Sequence, residues 1–284
     1  MKEEEFRALQ PPSAYRGDEL SMLETPKAFL KHMVWKFGSP RLRQLLRRSY
    51  LSRLVLTNRG SHEPEFAAMR LLLAAGDCIA DVGANVGIYT KEFSSLAGQT
   101  GLVYSFEPVR DTYDILENVV RRLPLRNVRT FRAALGEKHS QREIIIPDNG
   151  DFTGYYWAHF ASPGEGGGRE IVDVLTLDEL ANSGVVPRLQ FIKCDVEGSE
   201  LEVFCGAREL LRQQKPGLLV EVSRESSEKV FSLFRELGYC AFTYSAVLQA
   251  TESYREGEFS NYFFFHPASP MWPRLAPLRS GASA

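Results

Sequence analysis

Three carboxylates crowd one short stretch of this sequence. In Ile192-Lys193-Cys194-Asp195-Val196-Glu197-Gly198-Ser199-Glu200 the acids Asp195, Glu197 and Glu200 fall within six residues. Like charges this close make ionisation costly unless a cation, a proton or hydrogen bonds relieve them. A sulfonium cofactor, a divalent metal or a general-base role would each do so. Glu200 also reads as a helix first-turn acid favoured by the helix dipole. A second stretch, Asp81-Val82-Gly83-Ala84-Asn85-Val86-Gly87-Ile88-Tyr89-Thr90, follows an apolar run and opens a helix pattern. Its glycines let the backbone come close to a ligand, and the helix start offers free N–H groups to an anionic group. It is not the dinucleotide fingerprint, because Asn85 stands where the second glycine of G-x-G-x-x-G belongs, and no Gly-Lys-Ser/Thr follows to make a P-loop. The third signal is Glu107, 20 residues after Gly87 in Ser105-Phe106-Glu107-Pro108. A carboxylate at that point of a doubly wound sheet can accept hydrogen bonds from both ribose hydroxyls of a nucleoside.

The elements that must position these groups alternate. Apolar runs at 78–82, 101–106, 128–133, 189–194, 218–222, 239–244 and 262–266 read as seven strands, the last two hairpin-like. Helix patterns at 87–96, 110–122, 199–213 and 226–237 lie between them, which argues an α/β fold with a parallel, doubly wound sheet and helices on both faces. Ligands of such sheets bind at the carboxyl ends of the strands, where Asp195 ends the fourth strand and Glu221 the fifth. An excursion over 136–187 interrupts the alternation. Within it 143–146 and 171–175 read as short strands, 148–169 as a loop, and Thr176 as the cap of a short helix. The loop holds Tyr155, Tyr156 and Trp157, which can stack on a sugar or an apolar acceptor or simply pack the loop down. His139 and His159 lie in the same excursion and are candidate bases.

The chain divides into an arm with basic helices (1–60), a main domain (61–266) and a tail (267–284) rich in Pro and small residues, expected to be disordered. Residues 27–57 read as helices broken at Gly38-Ser39-Pro40, with a further helix at 65–75. With 284 residues, 44% apolar and 25% charged, the composition is that of a globular protein, neither collagen-like nor disordered. No window reaches the roughly 18–20 apolar residues of a bilayer span, and the first residues lack the pattern of a secretory signal. Four cysteines, all within apolar runs, are expected to be reduced, buried thiols of a cytoplasmic protein. The net charge of −2 is unevenly spread: Lys27 to His62 holds nine basic residues and no acid. That stretch reads as a solvated helix face, a site for an anionic acceptor, or a surface resting peripherally on an anionic membrane, since its arginines flank leucines.

The motifs Asp81-Val-Gly-Ala-Asn-Val-Gly-Ile-Tyr-Thr90, Phe106-Glu-Pro108, Ala134-Leu-Gly136, Leu175-Thr-Leu-Asp178 and Ile192-Lys-Cys-Asp-Val-Glu-Gly-Ser-Glu200 together resemble, in order and spacing, the FkbM family of S-adenosylmethionine-dependent methyltransferases. The resemblance runs from about Glu65 to His266. It implies the seven-stranded, Rossmann-like class I methyltransferase fold, here with an N-terminal helical extension, and O-methylation of a hydroxyl on a sugar, glycolipid or secondary metabolite. By position, Asp81, Gly83, Asn85 and Gly87 would frame the methionine end of S-adenosylmethionine, with Ala84 in the same turn. Glu107 would take the ribose, Ala134 would lie near the adenine, and Asp195 would face the cofactor amine or the acceptor. Cys194 and Ala80 depart from the aliphatics usual in the family at those places.

Methyl transfer is an in-line displacement that the enzyme mostly aligns. An alcohol acceptor needs help in losing its proton, from a base or a metal. Asp195 is the first candidate, then Glu197 and Glu221; a divalent metal would serve instead, with ligands the sequence does not assign. The acceptor is expected to be a small molecule or a glycan or lipid-linked compound. A nucleic acid is disfavoured by the acidic catalytic region, which repels phosphates. Two other classes stay open: a nicotinamide-dependent oxidoreductase, consistent with Glu107 but not with Asn85, and a non-catalytic S-adenosylmethionine-binding module.

Overall fold

The computed structural model describes residues 39–57, 64–147, 158–161, 166–257 and 260–280. The order of elements is α1 (Pro40–Thr57), α2 (Pro64–Leu72), β1 (Cys78–Val82), α3 (Ile88–Ala97), β2 (Leu102–Phe106), α4 (Arg110–Arg122) and β3 (Val128–Phe131). The excursion follows, with β4 (Ala134–Leu135), β5 (Ser140–Ile146), β6 (His159–Phe160), β7 (Gly168–Leu175) and α5 (Leu177–Asn182). The second half holds β8 (Phe191–Cys194), α6 (Glu200–Cys205), α7 (Arg208–Gln214), β9 (Gly217–Glu221), α8 (Ser227–Glu236), β10 (Cys240–Tyr244), β11 (Leu248–Thr251), β12 (Asn261–Phe265), a 3₁₀ turn at Trp272–Leu275 and α9 (Ala276–Ser280).

All seven strands expected from the apolar runs join one sheet, in the order β11-β10-β12-β9-β8-β1-β2-β3. β1, β2, β3, β8 and β9 run parallel, while β12 is antiparallel to both β9 and β10. The chain moves outward from β1 through β2 to β3, then returns to β8 on the other side of β1. Brackets of this kind leave a crevice above the carboxyl ends of β1 and its two neighbours. The eighth strand, β11, pairs antiparallel with β10; its short Leu-Gln-Ala-Thr run carries too little apolar signal to announce itself.

Both faces of the sheet are covered because successive strand residues point to opposite sides. Ala80, Ile192, Leu218 and Phe264 pack with Val203, Phe204, Leu211 and Phe234 of α6, α7 and α8. Ile79, Phe191, Leu219 and Phe263 pack with Phe66 and Met69 of α2 and Phe93 of α3. Met271, Leu275 and Leu278 are buried in this second layer. The expectation of a disordered tail therefore fails for 267–280, since an apolar residue every three or four positions seats this segment on the sheet, and Arg274 clamps it by pairing with Asp77. Residues 281–284 lie outside the described residues, as do the arm at 1–38 and the first of the basic helices. The cysteines are free, but only Cys194 is fully buried and Cys240 is exposed, at the first position of β10.

Two further boundaries differ from the sequence reading. The single helix expected over 199–213 is two, α6 and α7, separated at Gly206-Ala207. A side chain on Gly206 would collide with the carbonyl of Gly136, so the chain turns there, and Asp178 accepts hydrogen bonds from Glu209 N (3.1 Å) and Leu210 N (2.8 Å) to start α7. Of the loop expected over 148–169, residues 159–160 and 168–169 are strand, while 148–157 and 162–165 lie outside the described residues. Among the described residues the excursion forms a second sheet, β4-β7-β5-β6. Its core is Val109, Ala134, Ile144, Val172 and Val174, and Thr176 caps α5 through Glu179 N at 3.0 Å, as the sequence predicts.

Candidate active site

The turn after β1 is pressed against the exit from β8. Asp81 lies beside Lys193 in the parallel register, and Asp195 N donates to Val82 O at 3.1 Å. Gly83 has φ +73°, and any side chain on it would strike the carbonyl of Asp195. Asn85 and Gly87 also have positive φ, 49° and 92°. This left-handed path suits glycine and is tolerated by asparagine, and it turns the amide of Asn85 toward β2. There Glu107 accepts hydrogen bonds from Asn85 N at 3.0 Å and Val109 N at 2.9 Å. Burial nevertheless pushes the Glu107 pKa up to about 7, against those amides and the more distant charges of Lys193 and Arg47.

Below the turn Asp81 is fully buried. Its Oδ2 accepts from Thr90 Oγ1 at 2.6 Å, and Thr90 Oγ1 is 2.9 Å from Ser105 Oγ. Its Oδ1 has no hydrogen-bond partner among the described residues, with Lys193 Nζ 4.0 Å away. The side-chain oxygen of Asn85 is likewise buried and without a hydrogen-bond partner there. Lys193, which the sequence reading passed over, is the hub. Its ammonium donates to Gly83 O at 3.1 Å and Asp195 Oδ2 at 3.0 Å. It also sits 4.9 Å from the centre of the Tyr89 ring. Burial alone would lower its pKa, but the carboxylates of Asp195 and Asp81 hold it above the usual lysine range.

The carboxylates after β8 and β9 converge at the ends of neighbouring strands, but in unequal states. Asp195, Glu197 and Glu221 offer oxygen atoms within 4.8 Å of one another, a spacing a cation can bridge. Burial would raise Asp195, yet the Lys193 ammonium and a hydrogen bond from Glu221 hold it below the usual carboxylate range. Glu221 is pushed up to about 9 by the charge of Asp195 and by burial, so at neutral pH it carries the proton it donates. Glu197 is exposed on a strained turn, with φ 51° ahead of Gly198 at 92°. Although the residue is exposed, the packing around its carboxyl in the cleft wall, with the charges of Asp195 and Glu200, pushes its pKa up to about 7. Glu200 is raised by burial, and its Oε1 accepts from Gly198 N at 2.9 Å, closing the loop as a helix-start acid.

These groups open into one cleft with about 820 Å³ of free space, including its mouth. Gly83, Asn85, Glu107, Ala134, Asp195 and Glu197 line it, with Phe106, Pro108, Val109 and Leu135. Asp81, Ala84, Gly87 and Glu221 are not among the lining residues. Ala134, expected near the adenine, belongs to β4 and joins the two sheets at the cleft wall. The second sheet supplies the facing wall: Ile144, Ala158, His159 and Phe160. Phe160 is backed by the guanidinium of Arg142, 3.5 Å from its ring centre, which pairs with Glu202 of α6. His159 thus reaches the site and acts electrostatically on Glu197. His139 does not: it is exposed, 3.9 Å from Glu179, outside the cleft lining. Tyr155, Tyr156 and Trp157 lie outside the described residues.

The donor set fits S-adenosylmethionine. A cleft with the buried carboxylate of Glu107, the buried side-chain oxygen of Asn85 that lacks a hydrogen-bond partner among the described residues, and a concentration of negative charge suits a cationic nucleoside that brings hydroxyl and ammonium donors.

Comparison with known proteins agrees with this chemistry. The methyltransferase FkbM domain matches residues 81–240. The hexuronic acid methyltransferase AglP of Haloferax volcanii is 31% identical over 151 residues, which cover 51% of this chain and 56% of that protein, so the match spans little more than half of the relative. Among solved structures, methyltransferase FkbM from Methylobacillus flagellatus overlays with a TM-score of 0.47 at 18% identity, over 79% of this chain and 59% of that one. A SAM-dependent O-methyltransferase from Thermotoga maritima gives 0.43 at 12% identity, over 76% and 69%. The family is one of methyltransferases, which sets the nicotinamide reading aside. With its glycine turn, its acid after β2 and the Asp195 motif in register, the chain belongs to the FkbM methyltransferase family.

Proposed function

We propose that this chain methylates a hydroxyl oxygen on a sugar or sugar-bearing acceptor, with Glu197 as the proton acceptor. The observation that carries the reading is the contrast between Glu197 and Asp195. A general base works best with a pKa near the operating pH. Glu197, at about 7 and lining the cleft, meets that condition. Asp195 is held below the usual carboxylate range by Lys193 and Glu221, so it stays ionised and suits holding a positive charge in place.

When bound, S-adenosylmethionine supplies an electrophilic methyl on a sulfonium. In this reading Glu107 accepts the ribose hydroxyls, Asn85 and Asp195 receive the amino-acid end, Asp81 supports the turn from beneath, and the Ala133-Ala134-Leu135 wall covers the base. Gly83, Ala84 and Gly87 shape the backbone. Phe160 and His159 line the same cleft as Glu197, where a ring can stack on Phe160 and present a hydroxyl. The sugar class is supported by the name of the Haloferax volcanii relative, a hexuronic acid methyltransferase.

The test is transfer of a labelled methyl from S-adenosylmethionine to a panel of hexoses, uronic acids and their glycolipids. Expected is label on an acceptor oxygen, with Glu197→Gln lowering kcat about a hundredfold or more while affinity for S-adenosylhomocysteine is kept. Label on nitrogen would overturn the acceptor, and an unchanged kcat would overturn Glu197. Tight cofactor binding with no transfer to any acceptor or cell extract would favour the non-catalytic module.

A further inference from the structure

The helix α1 is apolar on two opposite sides. Its inner side is accounted for: Leu51 and Val55 are buried against Ile115 and Val119 of α4. Gln44 and Arg48 reach Asp111, Arg48 also pairs with Asp114, and Arg47 donates to Thr112. Pinning these residues inward turns the opposite side outward. There Leu42, Leu45 and Leu46, at helical spacing, are 43%, 65% and 46% exposed. A helix bearing leucines on a second face is ordinarily covered on that face as well. The outward positions from 42 to 53 include Ser49, Tyr50 and Arg53 and no acid, within a stretch of nine basic residues and no acid from Lys27 to His62. Only Arg47 and Arg48 of these make described contacts with acids or hydroxyls of α4.

We propose that the outward face of α1 docks on the surface of an anionic lipid bilayer. Leucines that share their face with Arg53 and no anion, in a stretch whose charged residues are all basic, match an interface of acyl chains and negative headgroups. A protein partner would have to offer an apolar patch ringed by acids, a narrower requirement. The position of the face gives the contact a purpose. Leu42 to Leu46 lie at the end of α1 that meets the start of α4, and that start follows directly on Glu107, Pro108 and Val109 of the cleft. Arg47 is close enough to Glu107 to act on its charge. A bilayer held by this face is joined, through α1 and the start of α4, to the segment 107–109 that lines the cleft.

The full-length protein is sedimented with phosphatidylcholine vesicles, with and without phosphatidylglycerol, at low and high salt. Expected is binding that needs phosphatidylglycerol, weakens with salt, and falls about tenfold or more in the Leu45→Glu, Leu46→Glu double variant. Both side chains are exposed, so the variant should keep the wild-type circular dichroism and S-adenosylhomocysteine affinity. Equal binding to both vesicle types, no binding to either, or binding untouched by the double variant would each overturn the proposal. So would a wild-type dimer that the double variant dissolves, since a second copy would then cover the face. None of these outcomes depends on the identity of the methyl acceptor.

Discussion

Lys193 Nζ stands 3.0 Å from Asp195 Oδ2, in a site where the lysine side chain is 6% exposed. Removing one partner of such a pair leaves the other buried without compensation. Lys193→Met should therefore destabilise the ligand-free protein by about 2–3 kcal/mol, below the range for fully buried pairs because Asp195 keeps partial access to water. It should also raise the pKa of Asp195. Urea unfolding checks the first effect and carboxyl NMR titration the second. A variant as stable as wild type would mean that Lys193 is not needed to balance the carboxylates.

The contact between Gly83 and the carbonyl of Asp195 gives a sharper test of how β1 and β8 meet. Gly83 and Gly198 share a positive φ, 73° and 92°, but a side chain on Gly198 would meet nothing within 4 Å. Gly198→Ala should cost only the backbone strain, about 1–2 kcal/mol. Gly83→Ala adds a collision with main chain that neither strand can relieve, and should cost about 4 kcal/mol or more, or prevent folding. Parallel urea titrations compare them, and equal losses would show that the two turns are not in contact as described.

Much of this architecture was legible from local pattern alone. The seven apolar runs became strands of one sheet because each is both buried and followed by a turn or helix signal, and the helix at Arg110–Arg122 fell where its periodicity placed it. The acids of the site were legible because carboxylates at strand ends are costly without a purpose. What the sequence hid is what depends on distant contacts. Lys193 reads as an ordinary polar residue until the parallel register sets it beside Asp81. His159 and His139 are indistinguishable by type, and only the pairing of β6 with β5 brings the first to the cleft. The break at Gly206 needs Gly136, seventy residues away, and the tail reads as disordered because prolines mask the spacing of Met271, Leu275 and Leu278. The different protonation of Asp195 and Glu221 follows from their mutual approach, which no linear spacing reports.

Glu107 ties cofactor affinity to pH. With its pKa near 7 in the ligand-free protein, Glu107 in the proposed ribose-binding role would accept the two hydroxyls fully only above that value. Affinity for S-adenosylhomocysteine should be flat at alkaline pH and weaken below about 7, approaching tenfold per unit as protonation competes with binding. Glu107→Gln should bind more weakly throughout and lose this dependence between about pH 5 and 8. Isothermal titration across that range decides the matter; a wild-type affinity that does not change with pH would remove Glu107 from ribose recognition.

Glu221 makes the ligand-free fold sensitive to alkali. Its pKa rises from the ordinary 4.5 to about 9 on folding, so between those values the folded protein holds a proton that the unfolded chain has released. Such a group contributes stability that is complete below about 4.5 and is lost as pH rises through about 9. Glu107 and Glu197 act in the same sense up to about 7. Asp195, with its pKa lowered, contributes stability that appears above its unfolded pKa and is constant at neutral pH. The unfolding midpoint should then fall between about pH 7 and 9, and Glu221→Gln, which keeps a donor toward Asp195 but cannot ionise, should flatten that fall. Glu221→Ala should lose stability at neutral pH as well, because the donor is gone. A divalent cation seated among Asp195, Glu197 and Glu221 would displace the proton. In that case EDTA, not alkali, would lower the wild-type midpoint, and the account of Glu221 as a proton carrier would fall.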